Sequence, residues 1–251
     1  EIVPGIKFKR EEILRLRMEK SNFKTKDEKN PEKIRVGTNI IRNLSTTFYP
    51  NPRIIFDELI TNSRDAMAKI VKIHVNDNTI SIEDDGEGMN HDELIHFFFI
   101  SHSDKSTQPI KTKGDIKRKV IGKFGIGKLS LYQVCKSFEI ITWKDGMESR
   151  AVFNFEDFEK EKFVDDFSLR IISETRSSKK NGTKIVLHDL KKKISAMDIK
   201  RHLSRTMPFT KDFKIVISGG EFARPVELRS EDVLHGNIFV EYDVNDFVEG
   251  V

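Results

Sequence analysis

Between positions 53 and 70 the apolar residues Ile55, Leu59, Ala66, Met67 and Ile70 recur at spacings near three and four. That is the period of an amphipathic helix. The pattern then shortens. Residues 71–75 and 79–83 are compact Val- and Ile-bearing runs separated by Asn76-Asp77-Asn78, which predicts two strands joined by a tight turn. Gly86-Glu87-Gly88 ends that hairpin. A helix is predicted over 92–100, ending in Phe97, Phe98 and Phe99. Further helices are predicted over 129–136 and 196–206, with strands over 138–143, 150–155, 169–173, 184–188 and 213–218. Upstream, 7–20 reads as a charged helix, 21–33 as a polar loop and 40–44 as a second apolar stretch, before Pro50 and Pro52 punctuate the chain. Residues 101–119 are mostly Ser, Thr, Lys, Asp and Gly, the composition of a mobile loop. No internal repeat is visible. Helices and strands interleave without strict strand–helix–strand alternation. The expected class is therefore α+β, with helices on one face of a mostly antiparallel sheet.

Composition bounds this picture without choosing a function. The chain has 251 residues, 37% of them hydrophobic and 33% charged, enough for one large domain or two small ones. A formal charge of +4 and a pI near 8.9 make it mildly basic, which permits nucleotide or nucleic acid and establishes neither. The single cysteine, Cys135, sits among Leu131, Tyr132 and Val134 and reads as a buried structural thiol. One cysteine forms no intrachain disulfide, which suits a reducing compartment, cytoplasmic or nuclear. No apolar run reaches the ~18 residues a membrane-spanning helix needs. The first residue is Glu1 and the chain closes on Val248-Glu249-Gly250-Val251, so it is expected to be a piece of a longer protein.

Three clusters carry chemistry. On the first helix, Glu58, Asn62 and Asp65 lie at i, i+4 and i+7 and share one face. Alone, this would be an ordinary wet face. Yet Leu59, Ala66 and Met67 bury the same helix, so some of these polar groups are expected to face an interior cavity. The second cluster is Asp84-Asp85-Gly86-Glu87-Gly88-Met89, directly after a strand. Glycines there allow close approach of the backbone, and the spacing is wrong for a calcium loop. The third is Gly122-Lys123-Phe124-Gly125-Ile126-Gly127-Lys128-Leu129-Ser130, glycines ahead of a helix, where backbone N–H groups and the helix dipole attract phosphate. Gly122, Gly127 and Lys128 mimic P-loop spacing. However, Leu129 stands where Ser or Thr would hold magnesium, and Lys117-Arg118-Lys119 is a poor buried strand, so a P-loop is rejected. The seven histidines include His91, His96 and His102 close together, but no His-Glu-x-x-His and no cysteine partner marks a metal site.

In this order the clusters resemble the N, G1 and G2 boxes of the GHKL ATPases, the superfamily of gyrase B, the ninety-kilodalton heat-shock chaperones, sensor histidine kinases and MutL. Glu58, Asn62 and Asp65 match its Glu-x-x-x-Asn-x-x-Asp, Asp84, Gly86 and Gly88 its Asp-x-Gly-x-Gly, and Gly122, Gly125 and Gly127 its Gly-x-x-Gly-x-Gly. Asn181-Gly182-Thr183-Lys184 resembles the Gly-Thr strand that closes the family's adenine pocket. The likeness covers roughly 40–219 and looks strongest toward the heat-shock-chaperone and MORC-like branch, through Ser103-Asp104-Lys105 and the 122–129 segment. A sensor kinase would usually carry Asn at the place of Glu58 and a phosphoacceptor-histidine hairpin upstream. The resemblance implies the Bergerat fold, a two-layer α/β sandwich with a mobile ATP lid over 101–119. It also implies an organisation of N-terminal extension (1–39), ATP-binding domain (40–219) and the start of a following, transducer-like domain or C-terminal extension (220–251).

It further implies roles. Asp84 would accept from the adenine amine, which fits an acceptor-only carboxylate. Thr183 would support the same edge, Met89 would pack on the ring, and Gly86 and Gly88 would let the base lie close. Asn62 would complete a magnesium shell, Asp65 would help hold the nucleotide or its waters, and Glu58 would orient and deprotonate the attacking water. Asp57 should point elsewhere and be structural. Lys105 to Lys128 holds eight Lys or Arg and one Asp, with Lys105 and Lys128 as the phosphate contacts and Gly122, Gly125 and Gly127 at the phosphates. The expected ligands are ATP or ADP and Mg2+. The expected partners are a second copy of the chain, bound in an ATP-dependent way, and DNA or a protein client reached through other domains. Two alternatives differ in kind: a nucleotide-binding switch with little turnover, and the motor of a MORC- or MutL-like DNA-associated machine.

Overall fold

The computed structural model describes residues 34–49, 51–98, 110–114, 116–120, 127–208 and 210–229. The expected helix over 7–20, the loop over 21–33, Lys105, Gly122 and Gly125 lie outside these residues. From Val36 onward the described residues belong to one compact unit.

The helices are α1 (Asn39–Phe48), α2 (Ile54–Asp65), α3 (His91–Phe97), α4 (Leu131–Val134), α5 (Phe155–Lys160) and α6 (Ala196–Thr206). The strands are β1 (Ile70–Val75), β2 (Thr79–Asp84), β3 (Ile110–Lys113), β4 (Ile116–Lys119), β5 (Cys135–Lys144), β6 (Met147–Asn154), β7 (Arg170–Arg176), β8 (Gly182–Leu190), β9 (Lys214–Gly219) and β10 (Phe222–Glu227). Eight strands form one sheet in the order β10-β9-β1-β2-β8-β5-β6-β7, and β3 and β4 form a separate hairpin. Every neighbouring pair in the large sheet is antiparallel except β1 with β9. This is the mostly antiparallel α+β sandwich expected.

Strand alternation builds the core. Val71, Ile73 and Val75 of β1, Ile80 and Ile82 of β2, and Ile185 and Leu187 of β8 are buried, while Lys72 and His74 between them are exposed. The buried face meets Ile55, Phe56, Leu59 and Ile60 of α2 and Ile199 and Leu203 of α6 in one apolar cluster. At the other end of the sheet the core is aromatic. Phe98, Phe138, Phe153, Phe155, Phe158 and Phe167 meet with ring centroids 5.1–6.1 Å apart.

Helix starts follow their caps. The Asn90 side chain accepts from the Glu93 N–H and Glu93 reaches back to the Asn90 N–H, a full capping box for α3. Asn154 caps α5 and Ser195 caps α6.

Several elements differ from expectation. The helix predicted over 53–70 stops at Asp65 because Met67 turns the chain at φ 59°, after which Ala68 is buried in the link to β1. The helix predicted over 129–136 is a 3-10 turn, Gly127–Ser130, followed by one α turn, and Cys135 already begins β5. Phe155 leaves β6 to open α5, a helix not predicted, where its ring packs into the aromatic core. The segment expected to be a loop contains the β3–β4 hairpin in its described part. Gly219 and Gly220 both take positive φ and turn β9 into β10, which extends the sheet to Glu227.

Candidate functional site

Asp84 is the best-defined polar group of the site. It ends β2, is 8% exposed, and its two oxygens are held separately. Oδ1 accepts from the Gly86 N–H at 2.8 Å and Oδ2 from the Ser63 hydroxyl of α2 at 2.9 Å. Thr183 lies opposite in register on β8, with its backbone N–H near enough to favour the charged carboxylate. Burial pushes the Asp84 carboxyl above the usual carboxylate range, against the pull of those donors. The adjacent Asp85 does different work, accepting from the Lys69 and Ile70 N–H groups at 2.7 and 2.9 Å to fix the start of β1.

The loop after Asp84 is clamped on both sides. The Glu87 N–H donates to the Ala66 carbonyl at 2.8 Å, joining the loop to the end of α2. Met89 N–H donates to the Thr142 hydroxyl of β5 at 2.7 Å, and that hydroxyl lies 3.3 Å from the Thr183 hydroxyl and from the Gly182 carbonyl. The glycines answer to this packing. A Cβ on Gly88, whose φ is +70°, would stand 1.8 Å from the Trp143 carbonyl oxygen, and one on Gly86 would stand 2.8 Å from the Ala66 carbonyl oxygen. Both vacancies are thus taken up by the protein's own backbone. Gly182, at φ +132°, is equally constrained, by the Asp84 carbonyl.

On α2, Glu58 and Asn62 are half-buried and Asp65 is 3% exposed. Ser63, between Asn62 and Asp65, ties this helix to Asp84. The buried Tyr49 phenol lies close enough to Glu58 for the carboxylate to raise its pKa, burial being the larger cause. Asp57 points to the other side of the helix, accepting from the Thr206 hydroxyl at 2.6 Å and pairing with His202 Nε2 at 2.7 Å on α6. It is a structural residue.

The β3–β4 hairpin is anchored to both walls. Arg118, with 2% of its side chain exposed, donates to the Arg64 and Ala68 carbonyls at the end of α2 and to the carboxylate and carbonyl of Asp212. Lys111 reaches the Glu87 carboxylate at 3.3 Å. Gly127 begins the 3-10 turn that packs on α2. Lys128 donates to the Phe97 carbonyl at the end of α3 and lies over the Phe97 ring.

The structure therefore joins Asp84, Gly86, Gly88, Met89 and Thr183 through hydrogen bonds and packing, with the Glu58–Asn62–Asp65 face attached through Ser63. Sequence reasoning missed Ser63, Thr142, Tyr49 and Arg118. Ser63 was findable as the hydroxyl inside the first box. Thr142 was not, because only the β5–β8 register, Thr142 opposite Thr183, brings it in. Among the described residues no group of three or more His, Cys, Asp or Glu side chains is arranged to hold a metal, and no helix is long and apolar enough to cross a membrane. Cys135 is fully buried with its thiol pushed up to about 12, which leaves it inert.

Comparison with known proteins covers the segment in which these residues lie. Residues 52–193 match the family described as Histidine kinase-, DNA gyrase B-, and HSP90-like ATPase. The chain is 29% identical over 159 residues to a putative type II restriction enzyme, HgiDII, of Herpetosiphon aurantiacus, covering 62% of this chain and 26% of that protein. It is 27% identical over 138 residues to the chaperone protein HtpG of a Sulfurovum species, covering 46% and 22%. To HtpG of Rickettsia massiliae it is 26% identical over 175 residues, covering 61% and 27%. The chain spans about a quarter of the length of these relatives. With the family match covering more than half of the chain and the described residues folded around one mostly antiparallel sheet, the protein belongs to the histidine kinase-, DNA gyrase B- and HSP90-like ATPases, a family of ATP-binding domains.

Proposed function

We propose that this chain binds ATP with magnesium and hydrolyses its γ-phosphate bond, as the engine of a longer protein. The observation that carries this reading is Asp84. A buried carboxylate whose resident hydrogen-bond donors are one backbone N–H and one hydroxyl keeps acceptor capacity for an amine, the feature that separates adenine from guanine. Thr183 and Thr142 set hydroxyls beside it. Met89 supplies apolar surface for the ring.

The donor set on α2 fits magnesium. Glu58, Asn62 and Asp65 offer only oxygen ligands on the inner face, and magnesium takes one or two protein oxygens beside phosphates and waters. Asn62 would supply the amide oxygen. The ion, when bound, neutralises charge on the phosphates. Glu58, one turn before Asn62, orients the attacking water and accepts its proton; Tyr49 lies near enough for the Glu58 charge to reach its phenol. Asp65 holds the nucleotide or its waters. Lys105, Lys128 and the glycines Gly122, Gly125 and Gly127 belong to the phosphate end. In Lys128 this requires the amino group to leave the Phe97 carbonyl when the triphosphate arrives.

The test compares wild type, Glu58→Ala and Asp84→Asn for ATP binding by calorimetry and for magnesium-dependent phosphate release. Glu58→Ala should bind ATP normally and lose turnover by about 10²–10⁴-fold. Asp84→Asn should bind ATP about 10- to 100-fold more weakly. A wild type that binds no ATP removes the reading. If wild type and Glu58→Ala bind equally and neither turns over, the chain is a nucleotide-binding switch. The likeness to a putative type II restriction enzyme favours a second setting, in which the same domain serves a DNA-associated machine.

A further inference from the structure

A second polar cleft lies on a different face of α2. Its volume is about 320 Å³, and it opens between the start of α2 and the last turns of α6, lined by Asn51, Arg53, Asp198, Arg201, His202 and Arg205. Arg53 and Asp57 are one turn apart on α2, so the cleft follows the Asp57 face. Successive residues are set about 100° apart around a helix, which turns Glu58, Asn62 and Asp65 away from it. The cleft is thus separate from the proposed nucleotide site and does not depend on that reading.

Its lining brings three guanidinium groups against one carboxylate. Asp198 pairs with Arg53 at 3.6 Å and with Arg201 at 3.7 Å, beyond close hydrogen-bonding distance for both, so one carboxylate is shared and the lining keeps a net positive charge. Arg205 has no hydrogen bond or ion pair among the described residues. His202 is held in place by Asp57 at 2.7 Å, and the Asn51 side-chain oxygen is occupied by the Arg53 N–H, while its amide donors have no partner among the described residues. Arginine forks of this kind match phosphate oxygens, and the positive end of the α2 dipole adds to the attraction. A helix–helix junction has no structural need of three arginines around one shared carboxylate, since Asp57 with His202 and Thr206 already joins the two helices.

We propose that this cleft is a phosphate-binding site, held by Arg53, Arg201 and Arg205, for a phosphate group carried either on a small phosphoester or on a nucleic-acid backbone. The test follows the His202 ring by NMR in the histidine-labelled chain while inorganic pyrophosphate or a short DNA duplex is added at low salt. Pyrophosphate should shift the His202 resonances saturably. The Arg201→Ala/Arg205→Ala double variant should weaken that binding about tenfold or more. Asp198→Asn, which removes the one opposing carboxylate, should strengthen it by about threefold, a gain that misfolding cannot mimic. A duplex that displaces pyrophosphate from His202 identifies the nucleic-acid backbone as the source, whereas a duplex without effect identifies a small phosphoester; both uphold the site. If neither probe moves His202, or if the three proteins titrate alike, the cleft is only a solvated junction.

Discussion

At the scale of single residues the site rests on Asp84, and its two ionisation-linked properties run in opposite directions. Burial raises its folded-state pKa, so the stability it contributes is fully present below its unfolded pKa, near 3.9, and is lost as pH rises through the raised value. Nucleotide recognition needs the reverse. A proton on this carboxylate turns one accepting oxygen into a donor toward Ser63, whose own proton can turn to the Leu59 carbonyl, and so removes acceptor capacity for an amine. ATP affinity should therefore weaken as pH falls, beginning at a higher pH than an ordinary aspartate allows, and the dependence should vanish in Asp84→Asn. That variant should fold at least as well as wild type. Its amide can donate to the Ser63 oxygen while the Ser63 proton turns to the Leu59 carbonyl, 3.0 Å away. It should nonetheless bind ATP about 10- to 100-fold more weakly, since an acceptor for the amine has become a donor. Calorimetry beside thermal unfolding separates these outcomes, and an Asp84→Asn protein with unchanged ATP affinity would discard Asp84 as the adenine contact. Gly88 predicts the opposite pairing. A methyl group there meets the Trp143 carbonyl at 1.8 Å with φ at +70°, so Gly88→Ala should cost roughly 2 kcal/mol or more in folding stability whether or not nucleotide is present. Denaturant titration of the unliganded protein measures it.

Elements show where sequence pattern and structure part company. The hairpin strands were legible because each alternates apolar and polar positions about a clear turn, and the first box because i, i+4, i+7 spacing survives whatever the helix packs on. The end of α2 was not legible. Ala66, Met67 and Ile70 continue the apolar stripe of a longer helix, but Met67 takes a left-handed conformation and Ile70 belongs to β1. Burial of the link, not helical period, explains those residues. The β3–β4 hairpin hid for a different reason. Its Lys and Thr side chains are exposed or half-exposed, and its anchor is one long-range cation, Arg118, whose partners lie at Arg64, Ala68 and Asp212. Asp212 is held below the usual carboxylate range: burial opposes this, but hydrogen bonds from Thr210 and Arg118 prevail. Arg118→Met should orphan the Arg64 and Ala68 carbonyls and cost about 2–3 kcal/mol. Arg118→Lys should rescue little of it, because a single ammonium cannot span four acceptors. Hydrogen exchange should show the loss concentrated at the α2 end and at β4. Uniform protection across the hairpin in Arg118→Met would show that Arg118 does not anchor it.

For the whole molecule, the sandwich was legible in outline because the three boxes and the Gly-Thr strand fall in one order, while the pairing that makes a pocket of them was not. β8 lies between β2 and β5, and only that order sets Thr183 between Asp84 and Thr142. What an ATP-driven cycle adds must come through differential affinity. If ATP favours association of two chains, association must favour ATP by the same factor. A nucleotide can shift a monomer–dimer balance only as far as it binds the dimer better, about 5.5 kcal/mol for a change from 1:99 to 99:1. Two measurements on this chain are therefore linked. Sedimentation with magnesium and a non-hydrolysable ATP analogue should move the protein from monomer toward dimer, and Glu58→Ala with ATP should behave like the analogue. The apparent ATP dissociation constant should then fall as chain concentration rises through the range in which the dimer forms. A chain that saturates with nucleotide yet sediments as a monomer at every concentration would show that nucleotide does not drive its association, and ATP affinity would then be independent of chain concentration.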